Sequence, residues 1–374
     1  MEPIDSYLTT PTELIEWCNR HDSRQFVAID TEFERRRTFY PIPCLIQVAT
    51  QDSICCIDTV AITNLDPLIN FFNSTKRTLI FHAARQDIEL LMPLGLKPHA
   101  VIFDTQLAAS FCGLGDQLGY ADLVFNLLKF EIDKSNQRAN WLKRPLTGSQ
   151  LNYAIEDVKH LYKLHDILKT QLVSLGRLDW FSEECLLVSS FWFNDSPHEA
   201  WKKLKNINSL PQILAKRACE VAVWREFLAR ELDKPRNWVL SDRGIKDLVV
   251  TDFESRAELE MALKSSFYIR GKSVGQLYKI LKGNSIYKHI AYSRPGKPDA
   301  QQKQALENAM QSIQLIAKQH QIEPHVIATK RELKSLLIDR ATNRLVASWR
   351  RKILAEVYQK LDLDLTYSER KIED

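Results

Sequence analysis

The 374-residue sequence has only seven cysteines, and no two of them form a CxxC pair. Most lie inside apolar runs such as "SICCID" (53–58), which indicates buried, reduced thiols rather than disulfides or zinc ligands. The sequence also lacks any apolar run near the roughly 18 residues that a membrane-spanning helix needs. Its first ten residues, "MEPIDSYLTT", carry acids where a signal peptide carries basic residues. We therefore expect a cytoplasmic protein without membrane contact.

No long heptad pattern or exposed apolar stripe is present, so we expect a monomer. The charges are unevenly distributed. Residues 1–190 hold 18 Lys and Arg against 24 Asp and Glu, and the whole chain holds 51 against 47, which leaves the second half basic. An acidic half joined to a basic half suggests a site that needs cations and a surface that attracts phosphates.

The residue pattern changes near residue 180. Before that point, short β-like runs first follow one another and then alternate with helical patterns, which predicts an α/β fold with a mixed sheet covered by helices. A long helix over 147–175 is expected to close this half, and the remainder is expected to be wholly helical, with a linker at "SRPGKP" (293–298). The predicted strands are 26–30, 44–49, 53–57, 78–81 and 101–103.

Two acids one residue apart, Asp30 and Glu32, end the apolar run "FVAIDTE" (26–32). Residues two apart on a strand point to the same face, so their carboxylates are expected to lie side by side at the edge of a core. Carboxylates held together repel each other unless a cation lies between them. From this stretch alone, a turn-capping Asp30 and a solvated Glu32 are equally plausible.

Further acids follow on helices. Asp87 lies early in a helix after a predicted strand, where an acid commonly complements the helix dipole. Tyr153 and Asp157 are four residues apart and therefore share one helix face. Asp104 opens a helix and is expected to be its N-cap rather than a metal ligand, and Asp58 is expected to be a turn residue.

These motifs together resemble bacterial ribonuclease D, in the subgroup of the DEDD exonuclease superfamily that has a tyrosine in its third motif. The resemblance rests on "AIDTEF" (28–33), "FHAARQDIELL" (81–91) and "YAIED" (153–157). More specific to this family are "RRTFYPIPCLIQVA" (36–49), "FDTQLAAS" (103–110) and "WLKRPLTGSQLNYA" (141–154). The resemblance extends into the helical half through "VWREFLARELDKPRNWVLSD" (223–242), "ATKRELKSLL" (328–337) and "SWRRKIL" (348–354).

The resemblance implies three domains. These are a ribonuclease H-like, mixed-sheet exonuclease domain over 1–180 and two all-α helical bundles of the HRDC type over 205–290 and 300–367. It also implies a metal-dependent 3′→5′ exoribonuclease that releases 5′-mononucleotides from RNA with a free 3′ end. The expected substrates are precursor tRNA, in 3′ maturation, and other small structured RNA.

The chemistry of phosphodiester hydrolysis fits this set of acids. Two cations roughly 4 Å apart can activate water and relieve charge on the attacking and leaving oxygens. Mg²⁺ or Mn²⁺ prefers carboxylate and water oxygens, and the sequence offers acids without a His or Cys cluster. By family likeness Asp30 bridges both ions, Glu32 and Asp157 complete the ion site that activates water, and Asp87 holds the second ion. Tyr153, with a reference pKa of about 10, orients the attacking water.

Candidate substrate contacts are less specific. Arg35, Lys143 and Arg144 could contact phosphates and Tyr40 could stack on a terminal base, with a solvated surface as the equal alternative. His82 could approach the substrate, although a structural, hydrogen-bonded histidine is the alternative. Two other functions remain open, a DNA 3′→5′ exonuclease that uses the same acids and a non-catalytic RNA-binding module. The presence of all four acids and the tyrosine argues against the second.

Overall fold

The computed structural model describes residues 4–132, 139–193, 196–205, 207–284, 287, 290, 292, 296–338, 344–346 and 348–361. By their contacts, these residues form two compact units. The first, called the sheet unit, comprises Met1–Glu34, Pro43–Phe193 and Gly296–Asp374. The second, called the helical unit, comprises Arg35–Ile42 and Asn194–Pro295. Among the described helices, none combines the length and the apolar character that crossing a bilayer requires.

Six strands form one mixed sheet in the order β1-β4-β3-β2-β5-β6. Strands β1 and β4 are parallel, β3 and β4 are antiparallel, and β5 is parallel to both β2 and β6. The mixed sheet is therefore confirmed, although β1 was not predicted from the sequence. The strands are β1 (Ile4–Leu8), β2 (Phe26–Glu34), β3 (Ile42–Ala49), β4 (Ser53–Ile57), β5 (Thr78–Phe81) and β6 (Val101–Asp104).

In the described part of the sheet unit, eight helices precede residue 194. The predicted single helix over 147–175 is wrong, because the helix is interrupted at His160, whose backbone ends one helix and begins the next. The helices are α1 (Pro11–Arg20), α2 (Asp66–Phe72), α3 (Arg85–Leu91), α4 (Thr105–Phe111), α5 (Tyr120–Leu128), α6 (Gly148–Lys159), α7 (Leu161–Ser174) and α8 (Leu178–Phe193).

The helical unit contains five α-helices and two short 3₁₀ segments in its described part. The segment Arg35–Ile42 is held to the rest of the helical unit by hydrogen bonds and ring packing. The carboxylate of Asp233 accepts hydrogen bonds from the backbone N–H groups of Phe39 (2.9 Å) and Tyr40 (3.0 Å), and the Phe39 ring is buried beneath Arg236. The α-helices are α9 (Gln212–Leu232), α10 (Arg236–Val239), α11 (Asp242–Val250), α12 (Arg256–Ala262) and α13 (Lys272–Leu281).

The C-terminal helices share a hydrophobic core with the rest of the sheet unit. The indole rings of Trp180 on α8 and Trp349 stack 4.8 Å apart, and Arg350 donates to the buried carboxylate of Glu184. Arg344 donates to the same carboxylate at 2.8 Å. The buried Glu184 carboxylate therefore joins α8 to the segments that carry Arg344 and Arg350. Substitution of Glu184 would leave the charge of the buried Arg350 uncompensated. The helices are α14 (Ala300–His320), α15 (Pro324–Ile327), α16 (Lys330–Ile338), α17 (Ser348–Ile353) and α18 (Ala355–Lys360).

In their described residues, the two predicted HRDC-type segments consist of helices joined by loops, without a strand. Their assignment to that domain type, and the division at 180, 205, 290 and 300, stay predictions. Part of the predicted linker, residues 293–295, and the last part of the second segment, residues 362–367, lie outside the described residues.

Candidate active site

Strand β2 presents the first two acids. Val27, Ala28 and Ile29 are fully buried, so the first half of the strand is held in the core. The alternation of side chains along a strand then directs Asp30 and Glu32 to one face. Both acids remain partly accessible, as a site that contacts a ligand requires.

Helix α6 brings a third carboxylate to this face. One carboxylate oxygen each of Asp30, Glu32 and Asp157 lies within 4.8 Å of the other two. Helix α6 begins at a capping box, in which the Thr147 hydroxyl accepts from the Gln150 N–H and the Gln150 side chain accepts from the Thr147 N–H. Local sequence thus fixes the start of the helix that carries Asp157.

Asp87 approaches the cluster from α3. It is buried, and the Thr31 hydroxyl donates a 2.6 Å hydrogen bond to its Oδ1. Asp87 lies outside the 4.8 Å triad, although its charge contributes to raising the pKa of both Asp30 and Glu32. The four predicted acids are therefore close neighbours, and three of them form the tightest group.

The turn that leads into α3 is clamped by Asp104. This carboxylate caps α4 by accepting from Gln106 and Leu107, as the sequence predicts. It also accepts from the backbone N–H groups of Ala83 and Ala84, each at 3.0 Å. Ala83 has a φ of 59°, a left-handed conformation that is unfavourable for alanine, so these bonds hold a strained turn in front of Asp87. The sequence shows the cap but gives no signal for the contact across strands.

Burial raises the pKa of all four acids, and for Asp30 and Glu32 the charges of other acids in the site raise it further. For Asp30 the pKa lies well above its usual range because of burial and the charges of Asp87, Asp157 and Glu32. Burial raises the pKa of Glu32 to about 9 and the pKa values of Asp87 and Asp157 to about 7. No Lys, Arg or His of the described residues forms an ion pair with any of these acids. The arrangement therefore fits a hard divalent cation, which binds carboxylate oxygens and removes this repulsion.

We expect divalent cations to stabilise the protein most at alkaline pH. An unfolded carboxyl titrates near 4, so the folded, metal-free chain binds more protons than the unfolded chain between about pH 4 and pH 9, and its stability falls as pH rises through this window. Binding of a metal requires the deprotonated acids and opposes that loss. With chelator, the melting temperature should fall from about pH 6 to about pH 9, and saturating Mg²⁺ should raise it more at the higher pH.

Thermal melts of the full chain at several pH values, with Mg²⁺ or EDTA, measure this effect. In the Glu32→Gln variant, the loss of stability in the chelated state should be shallower, because the acid with a pKa of about 9 is absent. A melting temperature that does not respond to Mg²⁺ at any pH would contradict the metal site.

Tyr153 stands beside Asp157 on α6. Its hydroxyl hydrogen-bonds the Asp157 carboxylate, which lowers the pKa of that acid against the effect of burial. Burial, followed by the charges of Asp157 and Glu32, raises the pKa of Tyr153 far above its usual value. The ring packs 6.1 Å from the buried Trp141. Tyr153 is therefore a neutral, fixed hydroxyl at neutral pH, and it is unsuited to act as an ionised base.

Tyr120 is a site residue that the sequence analysis missed. Its hydroxyl donates to the carbonyl oxygen of Glu156 (2.8 Å) and accepts from the N–H of His160 (3.3 Å). These two groups lie at the interruption between α6 and α7, on either side of Asp157. One hydroxyl thus holds the backbone that carries an acid of the triad. No sequence signal could identify it, because its partners are backbone atoms about 40 residues away.

The Tyr120→Phe variant should lower kcat about tenfold and leave KM nearly unchanged, because a small displacement of Asp157 affects the reacting geometry more than substrate binding. The Mg²⁺ concentration needed to stabilise the protein should rise in parallel. Steady-state kinetics and melts at graded Mg²⁺ measure both effects. Tyr278→Phe, which also removes a hydroxyl-to-carbonyl hydrogen bond but lies in the helical unit, is the matched control. If both variants lose activity equally, Tyr120 has no specific positioning role.

The other predicted contacts in the sheet unit differ in their surroundings. His82 is held in the β5–α3 turn, where its Nδ1 lies 3.0 Å from the Thr105 hydroxyl and its ring packs edge-on against Tyr120. Burial lowers the pKa of His82, so the ring is neutral at neutral pH. The Lys143 side chain is exposed to solvent. Lys143 is therefore accessible to a phosphate, whereas His82 is packed within the fold.

All N–H groups of the Arg144 guanidinium are already engaged. Nε and Nη2 donate to the two carboxylate oxygens of Asp58 at 2.7 and 2.6 Å. Nη2 also donates to the carbonyl of Cys44, and Nη1 donates to those of Trp141 and Lys143. Asp58 also accepts from two backbone N–H groups of the turn that follows it. This geometry favours a structural role for Arg144 over a phosphate contact.

Arg35 and Tyr40 belong to the helical unit. The Arg35 Nε donates to the carbonyl of Phe39 at 2.9 Å, and the Tyr40 side chain is 40% exposed. Their predicted contacts with RNA stay predictions.

Comparisons with known proteins identify the family of this chain. Residues 6–173 match a family model described as a 3′-5′ exonuclease. The ribonuclease D of Gluconacetobacter diazotrophicus is 31% identical over 370 residues, which cover 95% of this chain and 92% of that protein. The ribonuclease D of Nitrobacter hamburgensis is 32% identical over 360 residues, which cover 93% of each chain.

Solved structures give the same result. The crystal structure of Escherichia coli RNase D, described as an exoribonuclease involved in structured RNA processing, aligns with a TM-score of 0.83 and 25% identity over 97% of this chain and 99% of that one. The catalytic core of RRP6 from Trypanosoma brucei shares the fold, with a TM-score of 0.57 and 22% identity over 75% of this chain and 80% of that one. The chain therefore belongs to the ribonuclease D family of metal-dependent 3′→5′ exoribonucleases.

Proposed function

We propose that the protein releases 5′-mononucleotides one at a time from RNA 3′ ends, by hydrolysis that uses two divalent ions, Mg²⁺ or Mn²⁺. The observation that carries this proposal is the triad of carboxylate oxygens from Asp30, Glu32 and Asp157, all within 4.8 Å of one another. Asp87 lies beside it, and no cationic side chain of the described residues neutralises these charges. A divalent cation bound among these acids would relieve the repulsion that raises the pKa of Asp30 and Glu32.

The assignment of ligands follows from the grouping. Asp30, Glu32 and Asp157 would share one ion, and Asp30 and Asp87 would share the second. Asp30 would be the shared ligand, because it belongs to the triad and also lies near enough to Asp87 for the Asp87 charge to act on it. Bound ions supply a water that is nucleophilic near neutral pH and neutralise charge on the attacking and leaving oxygens. Thr31 and Asp104 keep Asp87 in place through its carboxylate and through the turn before α3.

Tyr153 orients the attacking water in this proposal. Its hydroxyl proton is directed to the Asp157 carboxylate, which leaves the oxygen lone pairs free to accept from water. A fixed acceptor selects one orientation of the water relative to the phosphorus, and such positioning lowers the barrier without a proton transfer to tyrosine.

The proposed substrates are precursor tRNA and other small structured RNAs. Escherichia coli RNase D, an exoribonuclease involved in structured RNA processing, supports this class through its similarity over nearly the whole chain. A monomeric, cytoplasmic enzyme is part of the proposal and rests on the sequence alone.

Digestion of matched RNA and DNA oligonucleotides of one sequence tests the function. Each is labelled at the 5′ or the 3′ end and incubated with Mg²⁺, Mn²⁺ or EDTA. We expect ladders that shorten from the 3′ end of RNA, mononucleotide products and no reaction in EDTA. Equal rates on DNA would favour a DNA exonuclease, and binding of RNA without any product would favour a non-catalytic module.

A further inference from the structure

The helical unit contains a cavity of about 400 Å³ along one side of α13. Three cationic side chains line it, those of Arg256, Lys272 and Lys279, together with Gln276. No carboxylate is among its described lining residues. The cavity also reaches the indole of Trp224 and the ring of Tyr287. It therefore combines positive charge, amide groups and aromatic rings, as sites that bind nucleic acid do.

The lysines are arranged along a single helix face. Lys272 and Lys279 are seven residues apart, so their side chains lie on the same side of α13 about 10 Å apart. Arg256 joins them from α12, where its Nη2 donates to the carbonyl of Gly271 at 3.0 Å. The guanidinium lies beside Gly275, where an added Cβ would meet the Arg256 Nη1 at 3.5 Å, an ordinary van der Waals distance. The three charges thus follow the wall of one cavity.

These charges are not compensated within the described residues, where none of the three side chains forms an ion pair. Among the other cations of the same unit, Arg236 is bound to Glu226, Arg225 to Asp242 and Lys282 to Asp252. Uncompensated charge in a concave site raises the local concentration of anions. The cavity is therefore suited to an anionic ligand.

The cavity wall also offers a hydrogen-bond donor, the side-chain amide of Gln276. The Gln276 Oε1 accepts from the Trp224 indole N–H at 3.3 Å, which turns the Gln276 amide nitrogen away from the indole. The half-buried ring of Tyr287 stacks on Phe227 with 5.7 Å between centroids and 8° between planes. A ring held in this way is a rigid surface against which a nucleoside can pack.

We propose that this cavity, defined by Arg256, Lys272, Gln276, Lys279 and Tyr287, binds the phosphodiester backbone of single-stranded RNA. Lys272 and Lys279 contact successive phosphates, Arg256 reinforces the field between them, and Gln276 donates to a phosphate oxygen. The inference rests on the proposed function in that the bound RNA is the strand that is digested. The cavity gives affinity without sequence preference, since its charges meet phosphates rather than base edges.

The double variant Lys272→Gln/Lys279→Gln tests this inference in the full chain. Fluorescence anisotropy with a 5′-labelled 20-nucleotide RNA in EDTA measures binding without hydrolysis. We expect about tenfold weaker binding near 0.1 M salt, and a log-log salt slope that is shallower by between about 1 and 2. Hydrolysis of a trinucleotide should be unchanged, and this measurement reports separately on the proposed active site.

Lys216→Gln/Lys264→Gln is the matched control, since these exposed lysines of the same unit do not line the cavity. The control should weaken binding less than about twofold. Equal weakening by the two double variants would overturn the inference in favour of a diffuse positive field. Binding of millimolar mononucleotide or inorganic phosphate to the wild-type chain but not to the Lys272/Lys279 variant, with no loss of RNA affinity in that variant, would also overturn it, in favour of a site for small phosphates.

Discussion

Asp30→Asn should abolish RNA hydrolysis, with a loss in kcat of at least about 10³-fold, while the affinity for RNA in EDTA stays within about twofold. Asparagine has the shape of the aspartate but cannot supply the negative charge that a shared metal ligand needs. Asp30 is the acid whose pKa is raised by all three of its acidic neighbours, so its removal affects the whole cluster. Single-turnover hydrolysis and anisotropy with the same RNA separate chemistry from binding.

Stability gives a second readout for this variant. Without metal, Asp30→Asn should raise the melting temperature at alkaline pH, because it removes one charge from a group of repelling carboxylates. The stabilisation by Mg²⁺ should be largely lost. Asp66→Asn, at an exposed acid in the first turn of α2, should change neither activity nor the Mg²⁺ response. Hydrolysis that survives in Asp30→Asn would refute the assignment of Asp30 to the metal site.

Local sequence rules account for much of the site. A run of buried residues before Asp30, together with the two-residue period of a strand, predicts that Asp30 and Glu32 share a face. The four-residue spacing of Tyr153 and Asp157 predicts one helix face in the same way. In the structure Asp30, Glu32 and Asp157 form the triad, and Tyr153 hydrogen-bonds Asp157. The roles assigned to them remain predictions until they are tested by substitution.

The residues that hold the acids in place could not be predicted from the sequence. The contacts of Asp104 with Ala83 and of Tyr120 with His160 join segments that are far apart in the chain, and their partners are backbone groups that carry no sequence signature. For Arg144 the sequence suggests a function that the observed contacts do not favour. A surface-like "KR" pair suggests a phosphate contact, whereas the fold provides Asp58 as a buried partner.

Some boundaries of strands, helices and units could not be predicted either, because they depend on contacts between distant segments. The strand β1 is only five residues long and pairs with β4, more than 40 residues away. The helix break at His160 has no proline or glycine to mark it, and the Tyr120 hydroxyl occupies it instead. The segment 35–42 precedes β3 in sequence but packs with the helical unit, through an Asp233 carboxylate almost 200 residues away.

Tyr153→Phe should lower kcat about 10²-fold with little change in KM, because the variant loses the oxygen that orients water but keeps all four acids. RNA affinity in EDTA should be unchanged, and Mg²⁺ should still stabilise the protein. That retained response distinguishes this variant from Asp30→Asn. The loss of the hydroxyl also removes a hydrogen bond that lowers the pKa of Asp157, so Mg²⁺ stabilisation should develop at a slightly higher pH.

The pH dependence of kcat decides between an orienting hydroxyl and an ionised base. The pKa of Tyr153 lies far above its usual value, so its hydroxyl stays protonated throughout the range in which the enzyme is stable. An orienting role predicts that the residual activity of Tyr153→Phe has the same pH profile as the wild type, only lower. Tyr162→Phe, at a half-buried tyrosine that packs against Phe26, should behave as wild type. If the wild-type profile contains an ascending alkaline limb that Tyr153→Phe lacks, tyrosine ionisation takes part in the reaction, and the neutral role proposed for it is wrong.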